Sequence, residues 1–398
     1  IASSVLDEFF EIRVAGIKQQ NTFGSTQRGP DNLNPREQLE RISASARGII
    51  DEQYRILTDV LQPALQEEQI AFLGPDDWSP SQDEWLGRYF NRELAPIITP
   101  VGLDPAHPFP EPLNKSLAFI VGLEGKDAFG RNSGQAIVQA PRSLPRVIRL
   151  PESIASSPNE FVLLSSIVSA HISDLFSGMK ATGCYQFRVT RNSDLFVDEE
   201  AIDDLLIALE GELSARRYGS AVRLEVAKDC PEKLAEFLAD QFELGMDSVY
   251  RCNGPVNLMR LATVPDLVER PDLKYPGFTP SIPEPLRGSD GIFEVLRRGD
   301  ILLHHPFESF APFVDFLRQA ARDSNVLSIR QTLYRTGTES AVVDALVDAA
   351  SRGKEVLVVI ELRARFDEEA NIELATKLQS AGAQVVYGVV GHLSLIHI

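Results

Sequence analysis

Apolar residues recur with two different periods along the chain and divide it into three textures. From residue 1 to about 90 the period is helical. Leu6, Phe9, Phe10, Val14 and Ile17 share one stripe, and Leu39, Ile42, Ile49, Ile50, Tyr54, Leu57, Val60 and Leu61 predict a longer helix over 35–69. Asn34 before Pro35, Arg36 and Glu37 has the form of an N-cap with proline at the first helical position. Ser79 and the acidic residues that follow, between Trp78 and Trp85, start a further helix that runs to about Leu94. Paired helices are the simplest way to bury such stripes.

From 97 to about 300 the pattern becomes mixed. SLAFIVGLE, GQAIVQAPR, CYQFRVTRNSDLFV and AVRLEV read as strands, and 201–217 and 231–243 read as helices. Proline clusters at 105–112 and 279–285 punctuate this stretch, the second as a linker. Beyond 300 helices and strands alternate: helix 310–322, strand 326–332, helix 340–351, strand 355–361, helix 367–380, strand 384–390. VLVVI and VVYGVV are continuous apolar runs of buried-strand type. Right-handed crossovers in such a βαβαβ unit make the strands parallel. Their C-terminal ends then open on one edge, where α/β sheets usually bind ligands.

With 398 residues and 43% hydrophobic content the chain can bury several cores, so two to four domains are expected. The net charge of -18 argues against nucleic acid as a partner, although it leaves room for a local basic pocket. Cys184, Cys230 and Cys252 lack metal-ligand spacing; so few thiols fit a reducing, cytoplasmic setting without structural disulfides. No apolar run reaches the roughly 18 residues of a spanning helix, so any membrane contact would be peripheral. Ile1 opens directly on LDEFFEIRVAGI without an initiator Met, and within the closing HLSLIHI that follows Gly391, residues 393–398 match the translation of a transposon adapter used in sequencing libraries. The expectation is therefore a piece that lacks the start of its first domain and carries a tail, 392–398, foreign to the gene.

The first strand of the alternating region runs into Tyr334, Arg335 and Thr336, and the second into Arg363 and Arg365. Two loops thus bring guanidinium groups to one edge. Their planar forks of paired donors suit phosphate oxygens. Spacing alone equally allows them to pair on the surface with Asp367, Glu368, Glu361 or Glu339. Asp367, Glu368 and Glu369 open a helix, where carboxylates complement the backbone dipole, and capping is favoured there over metal binding. His304 and His305 in LLHHPFESF are expected to pack or hydrogen-bond in a loop, and His107 and His171 to be structural. P-loop, GxGxxG, HExxH and GxSxG patterns are absent.

RGDILLHHPFESF, QTLYRTGTES, ELRARFDEEANI and GAQVVYGVVG resemble the bacterial polyphosphate kinases of the long, histidine-phosphorylated family. So do LDEFFEIRVAGIK, ITPVGLDPAHPFP, VQAPRSLPRVIRLP, FRVTRNSDLFVDEE and RRYGSAVRLEV, in the family's order. The resemblance implies a multidomain α/β protein: a helical N-terminal domain over 1–90, a middle α+β domain over 91–299, and the first part of a phospholipase D-like α/β catalytic domain over 300–391. It implies reversible transfer of the ATP terminal phosphate to inorganic polyphosphate through a phosphohistidine. Mg2+ and ATP are the implied cofactors, ATP/ADP and polyphosphate the ligands, with a homo-oligomer and peripheral membrane association as further expectations. By the same resemblance Arg335 and Arg365 match arginines beside the family's Mg and nucleotide-phosphate cluster. Arginine has no lone pair to offer a cation, so these residues are read as gripping phosphate oxygens next to the ion.

Two positions depart from the family. Val5 stands where an Asn contacts ATP, and it offers neither donor nor acceptor. After GVVG, which ends at Gly391, the family continues with a Lys-Thr-His-Ala-Lys type segment whose His is phosphorylated, whereas HLSLIHI follows here. The phosphorylated His is thus expected beyond Gly391, in sequence that this chain does not carry. Neither His392 nor His397 has the required spacing, so this piece is expected to hold part of a cation cradle without its nucleophile and without a second phospholipase D-like domain. A noncatalytic polyanion-binding module and a phospholipase D-like hydrolase are the alternatives; no HxK pair supports the latter.

Overall fold

The N-terminal stripe folds as one rod: helix Ala2–Phe9, a wider π turn over Phe10–Val14, and helix Ala15–Thr22. The structure is a computed structural model, and it describes residues 1–29, 31–104, 106–126, 134–193, 219–288, 291–337, 340–362, 364 and 367–388. Helix Pro35–Arg55 starts at Asn34 through a reciprocal box: Glu37 N donates to Asn34 Oδ1 at 2.9 Å, and Asn34 N to Glu37 Oε2 at 2.8 Å. Ser79 and Gln82 do the same for helix Pro80–Tyr89.

The expectation of helix throughout 1–90 fails at Ile70–Leu73, which is a strand, β1. A short apolar run carries no period that separates helix from strand, and here a partner some ninety residues later decides. Further strands are β2 Thr99–Gly102, β3 Leu117–Gly125, β4 Gln135–Ala140, β5 Val147–Arg149, β6 Asn159–Leu163, β7 Met179–Arg191, β8 Ala221–Ala227 and β9 Val249–Cys252. One sheet has the order β2-β4-β3-β7-β8-β9 and a smaller one β1-β6-β5. The four expected strands are β3, β4, β7 and β8; β2, β5, β6 and β9 are too short to announce themselves. The helix expected over 231–243 is present as Glu232–Gln241. That over 201–217 lies outside the described residues.

SLAFIVGLE is apolar at consecutive positions because the large sheet is covered on both faces. Phe119 and Val121 of β3 face one way, into a core with Phe10, Val14, Ile50, Tyr54, Leu86, Phe90 and Leu94 of the N-terminal helices. Ala118 and Ile120 face the other way, against Phe187, Leu224, Leu238 and Phe242. A buried ionic network ties the first helix to this sheet. Arg188 donates in a fork to Asp7, Nη1 to Oδ2 at 3.0 Å and Nη2 to Oδ1 at 2.8 Å, while Arg223 bonds Asp7 and Thr190 and Glu225 meets both arginines. Burial alone would raise the Asp7 pKa, but the two guanidiniums outweigh it and hold the carboxyl below its usual range.

Contacts divide the described chain into one unit of 1–193 with 219–270 and another within 271–388. In the second, helices Ala311–Arg322, Ala341–Ser351 and Glu368–Ser380 alternate with β10 Ser328–Leu333, β11 Glu355–Ile360 and β12 Gln384–Tyr387, as the sequence pattern predicts. The strands are parallel, in the order β10-β11-β12. One expectation changes. Val356, Val358 and Ile360 of β11 are buried, but the alternate residues Leu357 and Val359 are only partly covered, and Val386 of β12 is 45% exposed. The described helices thus bury one face of this sheet far more than the other. The description of this unit ends at Gly388, so Gly391, taken as the limit of the domain, and the tail 392–398 lie outside the described residues. No helix among the described residues is long and apolar enough to cross a membrane, and Cys184, Cys230 and Cys252 are free thiols.

Candidate functional site

The register of the parallel sheet sets the site. Leu333 pairs with Ile360 and Ile360 with Tyr387, so Tyr334, Glu361 and Gly388 leave the three strands side by side at one edge. Ladder bonds continue past the strand ends: Glu361 N donates to Leu333 O at 3.1 Å and Gly388 N to Ile360 O at 2.8 Å. After β10 the chain runs Tyr334, Arg335, Thr336, Gly337, and Gly337 has a φ of +72°, which turns the loop back where a side chain would be strained.

Arg335 stands on this edge, as expected. Its Nε lies 3.1 Å from Asp367 Oδ2, the two side chains 52% and 40% exposed, and its guanidinium carbon lies 5.8 Å from the centre of the Tyr334 ring. The surface-pairing alternative therefore describes Arg335 in this conformation. An exposed pair of this kind is worth at most about 1 kcal/mol, so it is a resting partner rather than a commitment. Arg363, Arg365 and Glu339 lie outside the described residues. So do Gly391, beyond which the phosphorylated His is expected, and His392 and His397 after it. Glu361 and Glu368 are buried beneath the edge, and Asp367 precedes the first turn of helix Glu368–Ser380.

Asn371 is the residue that sequence reasoning missed. It is 3% exposed, and its side-chain amide donates to Tyr334 O at 3.0 Å and to Glu361 O at 2.8 Å. One amide thus fastens the outgoing ends of two adjacent strands, at Tyr334 before Arg335 and at Glu361. Its own backbone N donates to Asp367 O at 2.8 Å. A signal was present in the sequence. Asn371, Ala375 and Leu378 fall at i, i+4 and i+7 on the buried stripe of the helix, where an amide needs a polar partner.

The remaining candidates make local contacts or stand exposed. His304 N donates to Glu308 Oε2 at 2.6 Å, His305 Nδ1 lies 2.9 Å from Glu308 O, and the two rings sit 5.1 and 5.2 Å from Phe307 and Phe310. His171 stacks on Phe90 and His107 lies 3.5 Å from Asp104. Val5 is 60% exposed on helix Ala2–Phe9. Among the described residues no three His, Cys, Asp or Glu side chains gather to hold a metal ion. A cavity of about 950 Å³ in the first unit is walled by Ile49, Ile56, Leu57, Leu61, Leu65 and Phe72. Such apolar walls offer little to a polyanion.

Comparison with known proteins bears on the whole length. The polyphosphate kinase N-terminal domain matches residues 1–73, the middle domain 81–264 and C-terminal domain 1 residues 291–396. Polyphosphate kinases of Pseudomonas syringae pv. tomato and Pseudomonas aeruginosa are 58% and 57% identical over 391 residues, and that of Burkholderia multivorans 51% over 392. Each comparison covers 98% of this chain but only 53%, 57% and 57% of the relative, so the chain spans about half the length of the curated relatives it matches. The crystal structure of polyphosphate kinase from Porphyromonas gingivalis superposes with a TM-score of 0.75 at 25% identity, over 98% of this chain and 54% of that one. With three consecutive domains matched in order, the chain belongs to the polyphosphate kinase family.

Proposed function

We propose that this chain carries the nucleotide-phosphate grip of an ATP:polyphosphate phosphotransferase, with Arg335 and Arg365 as the residues that hold phosphate oxygens. The observation that carries the reading is Arg335 itself: a guanidinium on the C-terminal edge of a parallel sheet, held by a buried staple at Tyr334 and paired with an exposed carboxylate. Giving up that exposed carboxylate costs at most about 1 kcal/mol, so a phosphate that presents two oxygens to the planar guanidinium fork can displace it. In the sequence Arg365 follows the second strand of the unit, in ELRARFDEE, which supports a two-arginine clamp on adjacent phosphates.

The chemistry of the donors bears on Mg2+. Arginine cannot ligate a cation, and the described residues gather no carboxylate cluster for one. Mg2+ therefore enters this reading only as a companion of the nucleotide phosphates. The chain's own residues bind and orient the phosphoryl group for in-line transfer and spread its developing charge. The domain over 300–391 is read as phospholipase D-like, the nucleophilic His as lying past Gly391 in the longer protein, and the active protein as a cytoplasmic homo-oligomer that acts on ATP and polyphosphate.

Binding tests this directly. Tripolyphosphate and MgATP titrated into the purified chain should bind in a salt-sensitive way, and Arg335→Gln should weaken both at least tenfold while far-ultraviolet circular dichroism stays unchanged. Equal binding by Arg335→Gln and its parent would refute the assignment.

A further inference from the structure

A second cluster of positive charge sits in the first unit, far along the chain from Arg335. A small cavity there is lined by Arg146, Ser165, Gln186, Asn257 and Arg260. Part of its polar equipment is spent, since Gln186 Oε1 accepts from Val256 N at 3.2 Å, and part is not. Arg146 Nη2 donates to Ala140 O at 3.1 Å, but Arg146 Nη1 is wholly buried and has no hydrogen-bond partner among the described residues. Asn257, nine-tenths buried and at a φ of +70°, leaves its Oδ1 in the same condition. No carboxylate is among the described residues that line the cavity. Burial first, and then the neighbouring Arg260 and Arg142, push the Arg146 pKa down to about 10.

An orphaned buried donor and an orphaned buried acceptor on residues that line one space call for a guest that both accepts and donates. The excess of guanidinium calls for an anion. Hydrogen phosphate meets the three requirements together: its bare oxygens accept from Arg146 and Arg260, and its P–OH donates to Asn257 Oδ1. Sulfate, without a hydroxyl near neutral pH, would set an oxygen against an oxygen. The space open to the centre of a water-sized molecule is about 20 Å³, too little for a polyphosphate chain, so any anion held there is a single small group.

We propose that the cavity between Arg146, Asn257 and Arg260 is a second anion site that takes one protonated phosphate group, either inorganic phosphate or the end group of a polyphosphate. The site belongs to the first unit and does not rest on the function proposed above. Occupancy would tie the β4–β5 connection, through Arg146, to the segment that follows β9.

Thermal unfolding of the full chain at constant ionic strength tests the proposal, with phosphate, sulfate or tripolyphosphate added. Every measurement is made on an Arg335→Gln background so that the sheet edge does not contribute. Phosphate in tenfold excess over its dissociation constant should raise the Tm by on the order of 3 °C, and sulfate by clearly less. Asn257→Asp supplies the missing anion internally. It should raise the Tm without phosphate and abolish the phosphate response, and Arg260→Gln should weaken that response. A response to phosphate alone assigns the free ion; a response to phosphate and tripolyphosphate, both lost in Asn257→Asp, admits the chain end as well. No phosphate response, an equal response to sulfate, or an unchanged response in Asn257→Asp would overturn the proposal.

Discussion

Replacing Asn371 with alanine removes the amide that holds Tyr334 O at 3.0 Å and Glu361 O at 2.8 Å. The helix should tolerate the change, since alanine is the best helix former and Asn371 lies within Glu368–Ser380. What is lost is tertiary. Beside the amide, Glu361 O accepts a long bond from Ala364 N, 3.4 Å, so a buried acceptor loses its better donor at a cost of about 1–3 kcal/mol. Tyr334 O is partly buried and loses a bond worth about 1 kcal/mol. The sum, about 2–4 kcal/mol, falls on the second unit and on the two loops that leave β10 and β11. Hydrogen exchange read by mass spectrometry would localise it: peptides covering 328–337 and 355–364 should exchange faster, while those of β3 and β7 stay unchanged. The phosphate binding proposed for Arg335 should weaken as its loop loosens. Asn371→Asp, which keeps the shape but loses the donor, should do at least as much damage. An alanine variant within about 0.5 kcal/mol of the parent, with unaltered exchange in both peptides, would refute the staple.

Asp7→Asn breaks a buried carboxylate between Arg188 and Arg223 and should cost about 3–5 kcal/mol in urea unfolding. Because the folded pKa of Asp7 lies below its ordinary 3.8, its contribution is complete above that pH and is lost as pH falls through the folded value; the variant should lack this acid limb. Lys18 runs the other way along the pH axis. Burial lowers it to about 8 from its ordinary 10.5 despite the pull of Asp247, so stability should rise with pH between those values, by at most about 3 kcal/mol. Lys18→Met should flatten that rise, and an unchanged slope would show that its bonds to Val222 O and Ser248 Oγ keep it charged. Asn34→Ala should cost about 1 kcal/mol through the lost cap of Pro35–Arg55, read as a lower urea midpoint at unchanged m.

Much of the fold was legible because it is written locally. The helix starting at Asn34 and the alternation from Ala311 to Tyr387 rest on caps and periods within a few residues, and each element of that alternation appears within about three residues of its expected limits. β1 and β6 were not legible, since each is a short segment without a readable period whose state depends on its partner far away in sequence. The site divides in the same way. Arg335 could be named from its place after a strand, but its resting partner among four candidate carboxylates could not be chosen without coordinates.

The charged residues within LDEFF, FRVTR and VRLEV show the limit most clearly. Their order along the chain identifies the family, yet nothing local says that Asp7, Arg188, Arg223 and Glu225 meet in the interior. Sequence alone determined the family, the parallel βαβαβ order and the edge on which Arg335 stands, because period, capping and motif order are properties of neighbouring residues. Only the tertiary structure decided that Asn371 fastens that edge and that Arg146 and Asn257 line one cavity with bonds to spare. Those facts depend on which distant carbonyls and side chains arrive within 3 Å, and contact at that range is set by packing rather than by spacing along the chain.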